Sequence, residues 1–404
     1  MGTSLKIHRE NGNVPKSLPG EDHITGLVFY MAAADIPDAF KTERVQPLST
    51  IDAAEAAGIV DYTTSKDESG KETRTPAPWS VRVLHYQLSE LFRINPGVSL
   101  YVGIFEKAAG SQTFAEVKTV QNYAGGRIRQ MGVWAGDRAL TEDDLVTLQG
   151  VADTLAAEAS ELSVVYAPKV GAIKDLPTDI AGAGKNRVSV VIGQAGSGAG
   201  AELYKDEANE NKASVSGLGV VLGLISRAKV HQCIAWVKEF PTGVSLPAFG
   251  DGTLLRDIDK AFVEQLDTAR YLFFVTQTGQ AGSYMNDSHT MDSPTSDYAA
   301  IESVRTMDKG VRGVRAYLIP ELGGSVYIDA ESGKLASYTV AHLETVANLA
   351  FEDMEKAGEL SGYKVEIDPD QDVLSSGEVE FVIKKVPVGV MRHVKIKIGF
   401  AKSV

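Results

Sequence analysis

The chain has 404 residues, 44% of them hydrophobic and 23% charged, and this length favours two or three subdomains of a globular protein. Its formal net charge of −13 argues against a general nucleic-acid binder or a protein of anionic membranes. The single cysteine, Cys233, excludes an intramolecular disulfide, and no apolar run reaches the roughly 18 residues that a membrane span needs.

Charge is distributed unevenly along the chain. Residues 1–20 carry a net charge of +2 and residues 379–404 one of +5, so the stretch between them carries −20. Residues 1–20 also combine Asn, Pro and Gly with little periodicity, which is typical of an extended arm.

The first half of the body alternates β-type and helical patterns. Apolar runs predict strands over residues 24–32, 99–106, 163–168 and 187–193. Apolar residues at helical spacing predict helices over residues 51–59, 83–92 and 141–159, the last opened by the capping pattern at Thr141. The polar residues 63–78 predict a surface loop. Such alternation is typical of an α/β fold.

The second half repeats this order. The sequence predicts helices over residues 258–266, 301–318 and 340–354, a strand over residues 270–277, and a long polar loop over residues 278–297. The apolar run at residues 230–237 fits a helix or a strand equally well.

The C-terminal residues have the clearest β pattern. Four apolar residues alternate with Lys395, Lys397 and Gly399; they are Val394, Ile396, Ile398 and Phe400. This period of two predicts a strand with one apolar face. A cationic, half-apolar strand at a free end must complete a sheet, either in its own body or in a neighbour.

Glycines at 193, 196, 198 and 200 are the best candidate for a phosphate-binding loop because they follow a predicted buried strand. Their spacing fits neither the Walker A nor the Rossmann pattern, and Glu202 would repel a pyrophosphate. The pattern favours a mobile surface turn without a following helix.

Other candidates for chemistry are weak. His289, beside Asp287 and Asp292, is typical of any polar loop, and no HExxH pair is present. Cys233 lies in an apolar run without a basic neighbour, which predicts a buried small hydrophobe. The sequence therefore predicts no catalytic site, no metal and no cofactor, and a protein that is not an enzyme.

The ordered segments together resemble a known family. The stretches RVSVVIGQAG, LGVVLGLISRAKVHQCIAWV and residues 270–404, with the N-terminal HITGLVFY, VRVLHYQLSELFR and SLYVGIF, resemble contractile phage tail sheath proteins, notably those of Bacteroidetes phages and prophages. The resemblance implies an α/β (mixed α+β) fold with mixed sheets flanked by helices and extended terminal arms. It divides the chain into an arm (1–20), an α/β body (21–270), a C-terminal sheath-like core (271–378) and a basic arm (379–404).

The resemblance also implies a function. Sheath subunits polymerise into stacked hexameric rings around a tail tube and contract to drive the tube through the host envelope. The implied partners are further copies of the chain, the tail tube protein, and baseplate and tail terminator proteins, with no nucleic acid and no membrane. The implied location is the virion tail, assembled in the cytoplasm of the host bacterium.

The resemblance implies that both arms add strands to neighbouring subunits. The implied interface residues are Leu5, Ile7 and Arg9 in the N-terminal arm, and Val394, Lys395, Ile396, Lys397, Ile398 and Phe400 in the C-terminal arm. Basic arms and an acidic body independently suit such pairing. Two alternatives stay open: a component of another contractile injection apparatus, and a nucleotide-binding α/β enzyme using residues 193–200.

Overall fold

A computed structural model describes residues 20–66 and 72–400. The strands are β1 (Thr25–Met31), β2 (Val45–Leu48), β3 (Tyr62–Lys66), β4 (Glu72–Pro76), β5 (Leu100–Glu106), β6 (Gln130–Ala139), β7 (Ser163–Lys169), β8 (Val188–Val190), β9 (Gly193–Ala195), β10 (Pro247–Phe249), β11 (Phe274–Val275), β12 (Tyr284–Met285), β13 (Leu360–Glu366) and β14 (Val382–Pro387). The helices are α1 (Asp38–Thr42), α2 (Ile51–Ala56), α3 (Trp79–Ile94), α4 (Glu116–Tyr123), α5 (Glu142–Ala157), α6 (Gly198–Lys205), α7 (Leu218–Arg227), α8 (Lys260–Thr268), α9 (Ile301–Leu318), α10 (Ser337–Lys356) and α11 (Val373–Ser376). Leu5, Ile7 and Arg9 lie outside the described residues.

A six-stranded sheet forms the centre, in the order β2-β5-β1-β6-β7-β8. Strands β5, β1, β6, β7 and β8 are parallel, and β2 runs antiparallel at one edge. Every residue of β1 is buried, which is why its sequence is a continuous apolar run instead of an alternating one. The parallel strands follow the doubly wound order 2-1-3-4-5.

Helices cover both faces of this sheet. One hydrophobic cluster joins the sheet to α3 and α7, and a second joins its other face to α4, α5 and α8. At the centre of the first cluster the rings of Phe29 and Trp134 stack with their centroids 4.2 Å apart. The predicted fold of a mixed sheet flanked by helices is confirmed.

The surface loop predicted over residues 63–78 is wrong. Strands β3 and β4 pair antiparallel there, and their residues are exposed. Thr63, Thr64, Thr73 and Thr75 supply β-branched side chains that favour strands even on a polar surface.

The prediction of a mobile surface turn at residues 193–200 is also wrong. Gly193–Ala195 is the buried strand β9, paired with β10, and the helix α6 does follow it. A Cβ atom at Gly193 would lie 2.9 Å from the Cα atom of Phe273, and one at Gly200 would lie 2.8 Å from the Tyr86 hydroxyl. These glycines are therefore required for close packing.

The strand predicted over residues 270–277 is shorter in the structure. Only Phe274–Val275 forms strand β11, while Leu272 makes a single bridge to Val191. Asn286 competes with a backbone ladder, because its side-chain oxygen accepts the amide hydrogen of Phe273 at 2.8 Å. The ambiguous run at residues 230–237 forms turns.

The C-terminal helices confirm their predictions and build a separate small core. Helix α10 packs against α9 and against the two-stranded antiparallel sheet of β13 and β14. The core of this unit comprises Ala347, Phe351, Met354, Leu360 and Val365. Gly358, at φ +73°, turns the chain from α10 into β13.

Candidate inter-subunit interface

Beyond Arg392, the C-terminal arm is exposed throughout the described chain. Residues 388–400 form neither helix nor strand there. The side chains of the predicted apolar face are exposed: Val394 by 64%, Ile396 by 78%, Ile398 by 96%, and Phe400 completely. Lys395 and Lys397 are also exposed. The pattern that predicts a strand is therefore present without the sheet it would complete.

This exposure has an energetic consequence. Burying a side chain such as Val, Ile or Phe is worth about 1.5–3 kcal/mol relative to leaving it in water. The four apolar side chains on one face of the expected strand could thus gain several kcal/mol in total if they were buried. A partner that offers both a sheet edge and an apolar surface would provide this burial.

The first contact between helix α9 and the start of the C-terminal arm is made by Lys385 in β14. Its Nζ atom donates to the carbonyl oxygens of Thr306 and Met307 in α9 at 3.3 and 3.4 Å. Burial lowers the pKa of Lys385 to about 8, and Asp308 only partly offsets this effect. A cation of the arm is therefore partly desolvated against α9.

The second contact between the C-terminal arm and the body is made by Arg392. Its Nε atom donates to the two carboxylate oxygens of Asp287 at 3.0 and 3.1 Å, and another nitrogen donates to the Ser288 hydroxyl at 3.2 Å and to Glu302. The side chain of Glu302 is only 6% exposed. Although burial acts to lower the pKa of Arg392, Glu302 and Asp287 raise it above its ordinary value.

Asp22, close to the first described residue, also binds helix α9. The carboxylate of Asp22 accepts from Lys309 at 2.7 Å and from Arg312 at 3.0 Å, and Arg305 donates to the Asp22 carbonyl oxygen at 3.1 Å. Burial alone would raise the pKa of Asp22, but these cations, Lys309 foremost, hold it below its ordinary value. Arg129 pairs with the neighbouring Glu21.

Helix α9 therefore binds the described chain near both of its ends, at Asp22 and at Arg392. Glu302 in its first turn holds Arg392, and Lys309 and Arg312 hold Asp22, which places these two contacts roughly 10–15 Å apart along the helix axis. Sequence patterns did not predict this role of α9. The available signal was the spacing of Arg305, Lys309 and Arg312, which puts three basic residues on one side of a helix that carries Glu302 at its start.

The glycine segment lines a crevice of about 460 Å³. Arg82 lies there but pairs with Asp61 at 3.1 Å and with Asp206 at 2.6 Å. The remaining charged side chains of the lining are the carboxylates Glu90 and Glu202. Because acidic groups outnumber the cation, the crevice does not favour a phosphate.

A second crevice, of about 350 Å³, lies where β1, β5 and β6 end, the position at which doubly wound sheets commonly bind ligands. Each of its charged residues has a partner: Lys107 pairs with Asp137, also in the lining, at 2.9 Å, and Arg138 pairs with the buried Asp144 behind the lining at 2.7 Å. The charged side chains of this crevice are therefore already neutralised within the protein.

The remaining chemical candidates have packing roles. His289 lies 3.2 Å from a carboxylate oxygen of Asp267, and Cys233 is buried, which raises the pKa of its thiol to about 12. Within residues 20–66 and 72–400 no group of three or more His, Cys, Asp or Glu side chains could hold a metal ion. Among the helices in the part of the chain that the structure describes, none is long and apolar enough to cross a membrane.

Comparisons with known proteins agree with this architecture. A chain of the cryo-EM structure of the anti-feeding prophage baseplate superposes with a TM-score of 0.61 at 11% identity, over 99% of this chain and all of the other. A chain of the contracted sheath complex of an extracellular contractile injection system, PVC, gives a TM-score of 0.58 at 12% identity over 99% of both chains. These matches confirm, at the level of the fold, the expected likeness to contractile sheath proteins.

Sequence comparison gives the family. No curated protein sequence matches the chain. Two family models do match: the DUF2586 N-terminal domain over residues 52–289 and the DUF2586 C-terminal domain over residues 297–404. The chain belongs to the DUF2586 family, and its fold is that of the sheath proteins of contractile injection systems.

Proposed function

We propose that the chain is a structural subunit of a contractile sheath and that its terminal arms link it to neighbouring copies. The fold shared with sheath assemblies supports this proposal. The observation that carries it is the C-terminal arm, whose alternating apolar side chains from Val394 to Phe400 are exposed while both faces of the central sheet are already covered.

The sheet of β13 and β14 in a neighbouring copy is the proposed acceptor. It has only two strands, so each has one edge without a backbone partner in the described chain. A two-stranded sheet is marginally stable alone and gains from further strands. The arm of one copy would therefore complete the sheet of the next, with its apolar face toward α9 and α10.

Charge complementarity supports this choice. The last residue of β13 and the connection from it to β14 together contain six acidic residues and no basic one between positions 366 and 380; the acidic residues are Glu366, Asp368, Asp370, Asp372, Glu378 and Glu380. Lys395 and Lys397 of an incoming arm would be attracted to this connection, which would speed the encounter and reject acidic segments.

Linkage of this kind is directional, because the arm of one copy meets a different surface on the next. Such heterologous contacts build rings or helices instead of closed dimers. The proposed assembly is a helical stack of hexameric rings around a tail tube, ending at baseplate and terminator proteins. It would belong to a phage tail, assembled in the host cytoplasm and carried on the virion, or to another contractile injection apparatus.

Electron microscopy of the purified chain tests the proposal. The full chain should form rings or tubes, and a chain ending at His393 should stay monomeric. This truncation keeps β14 and Arg392, so it removes the exposed strand without opening the C-terminal core.

Paired substitutions separate apolar burial from charge. Ile396→Asp with Ile398→Asp should prevent assembly, while the matched pair Lys395→Ser with Lys397→Ser should slow it and keep its final form. Normal tubes from the truncated chain would refute the proposed linkage.

A further inference from the structure

Within the described chain, Arg392 is the only polar attachment of the segment from residue 388 to residue 400. From residue 388 to residue 400, the hydrogen bonds and ion pairs to the rest of the described chain all come from the Arg392 side chain. Residues on both sides of it are exposed, including Met391 at 81%. Val388 and Val390 are half-buried, so without Arg392 only apolar contacts would connect the chain beyond β14 to the body.

The socket that receives Arg392 fits a guanidinium group. Its acceptors are Asp287 and Ser288 from the loop before α9, and Glu302 from the first turn of α9. Three acceptors around one side chain use the fork of arginine donors, which the point charge of lysine cannot reproduce. In the described chain, no other lysine or arginine lies within ion-pair distance of Asp287 or Glu302.

We propose that Arg392 is a releasable latch that gives the C-terminal arm two reaches. With Arg392 seated on Asp287 and Glu302, the free arm begins at His393. With Arg392 released, it begins at Val388. The difference is five residues, which span up to roughly 17 Å when extended.

The latch changes the length of the C-terminal arm, and the proposed function uses this same arm to link subunits. The inference therefore rests on the proposed function. Subunits of a sheath that contracts change their spacing, and an arm bridging two copies must follow the change. Releasing one side chain would lengthen the connection while the strand from Val394 to Phe400 stays paired in the neighbour. Rupture of the linkage would then be avoided.

The latch can be measured in the dilute, unassembled chain with two spin labels. In a Cys233→Ser background, Gly389→Cys places one label between β14 and Arg392, where a side chain meets no atom within 4 Å. Glu264→Cys places the other on the exposed face of α8. Pulsed electron paramagnetic resonance then gives the distribution of distances between the labels.

The expected result is a narrow distribution that broadens at least twofold in width when Arg392→Ala is added, with Arg392→Lys intermediate. Lys395→Ala, which removes a neighbouring cation without a bond to the body, should leave the narrow distribution unchanged. If Arg392→Ala impairs folding, the double variant Glu302→Gln with Asp287→Asn is used instead. It removes both negative charges that bind Arg392 and should broaden the distance distribution in the same way.

Equal widths in the parent and in both the Arg392 and the socket variants would overturn the latch. This outcome is independent of polymerisation, because it is measured before assembly. A broadened distribution in a chain that never forms tubes would instead support the latch and refute the sheath function.

Discussion

The central sheet and the C-terminal unit use apolar residues in opposite ways. In the sheet, β1 is buried on both faces between two helical layers, and Phe29 stacks on Trp134 in its interior. In the C-terminal unit, a small core around Phe351 supports a two-stranded sheet, and the chain then continues into an exposed apolar arm. The first region is complete within one chain, whereas the second has edges and side chains available for another copy. Under the proposed function, the first region carries stability and the second carries assembly.

The largest expected effect is on the sheet. Phe29→Ala should reduce the free energy of unfolding by about 3–5 kcal/mol, because it leaves a cavity beneath Trp134. Phe400→Ala deletes an equal side chain from the arm and should leave the free energy of unfolding of the monomer within about 0.5 kcal/mol. Chemical denaturation of both variants measures the contrast, and equal losses would show that the arm folds onto its own body.

The two regions should also differ in their tolerance of added volume. A Cβ atom at Gly219 of α7 would lie 2.1 Å from the carbonyl oxygen of Gln87, so Gly219→Ala should separate α7 from α3 at a cost of about 1–3 kcal/mol. Gly389→Ala in the arm meets no atom within 4 Å and should leave the melting temperature unchanged. A loss of stability at Gly389 would show that the arm root is packed more closely than the structure describes.

Lys385 gives a pH-dependent comparison at the junction of the two regions. Its pKa in the folded chain is about 8, below the ordinary 10.5, so the unfolded chain binds more protons between these values and stability from this group rises with pH. Lys385→Met should therefore be more stable than the parent at pH 7, and the difference should shrink toward pH 10. Melting temperatures across this range measure it; a gap that does not change with pH would contradict the burial of the cation.

The smallest expected effect concerns the N-terminal root. The pKa of Asp22 lies below its ordinary value of 3.8, so the carboxylate stabilises the fold above that pH and loses its contribution as the pH falls through the lowered pKa. Asp22→Asn should be less stable than the parent at pH 7, and the two should converge in strong acid. Asp38→Asn, at an exposed pair with Lys41, is the matched control and should change stability little at either pH.

Periodicity predicted the long helices α3, α5, α9 and α10 and the strand β1, because each has a strong pattern of its own, but it did not predict the central strand β6 or the helix α7. It also predicted a strand with one apolar face over residues 394–400; the structure describes neither helix nor strand there, and pairing with a neighbour stays a prediction. The hairpin of β3 and β4 was missed because its polar residues resemble a loop. The turn predicted at residues 193–200 failed because partners distant in sequence, Phe273 and Tyr86, determine the packing of those glycines.

The arm roots were beyond the reach of sequence for the same reason. Asp22 meets Lys309, and Arg392 meets Asp287, across long separations along the chain. No prediction made from the sequence assigned partners to α9, because which carboxylate or guanidinium reaches this helix depends on the packing of the whole C-terminal unit.

A cryo-EM helical reconstruction of the assembled protein tests the central claim most directly. We predict that Val394, Ile396, Ile398 and Phe400 form a strand beside β13 or β14 of a neighbouring copy, with their side chains buried. A reconstruction in which this segment pairs with its own chain, or stays exposed between subunits, would contradict the proposed linkage.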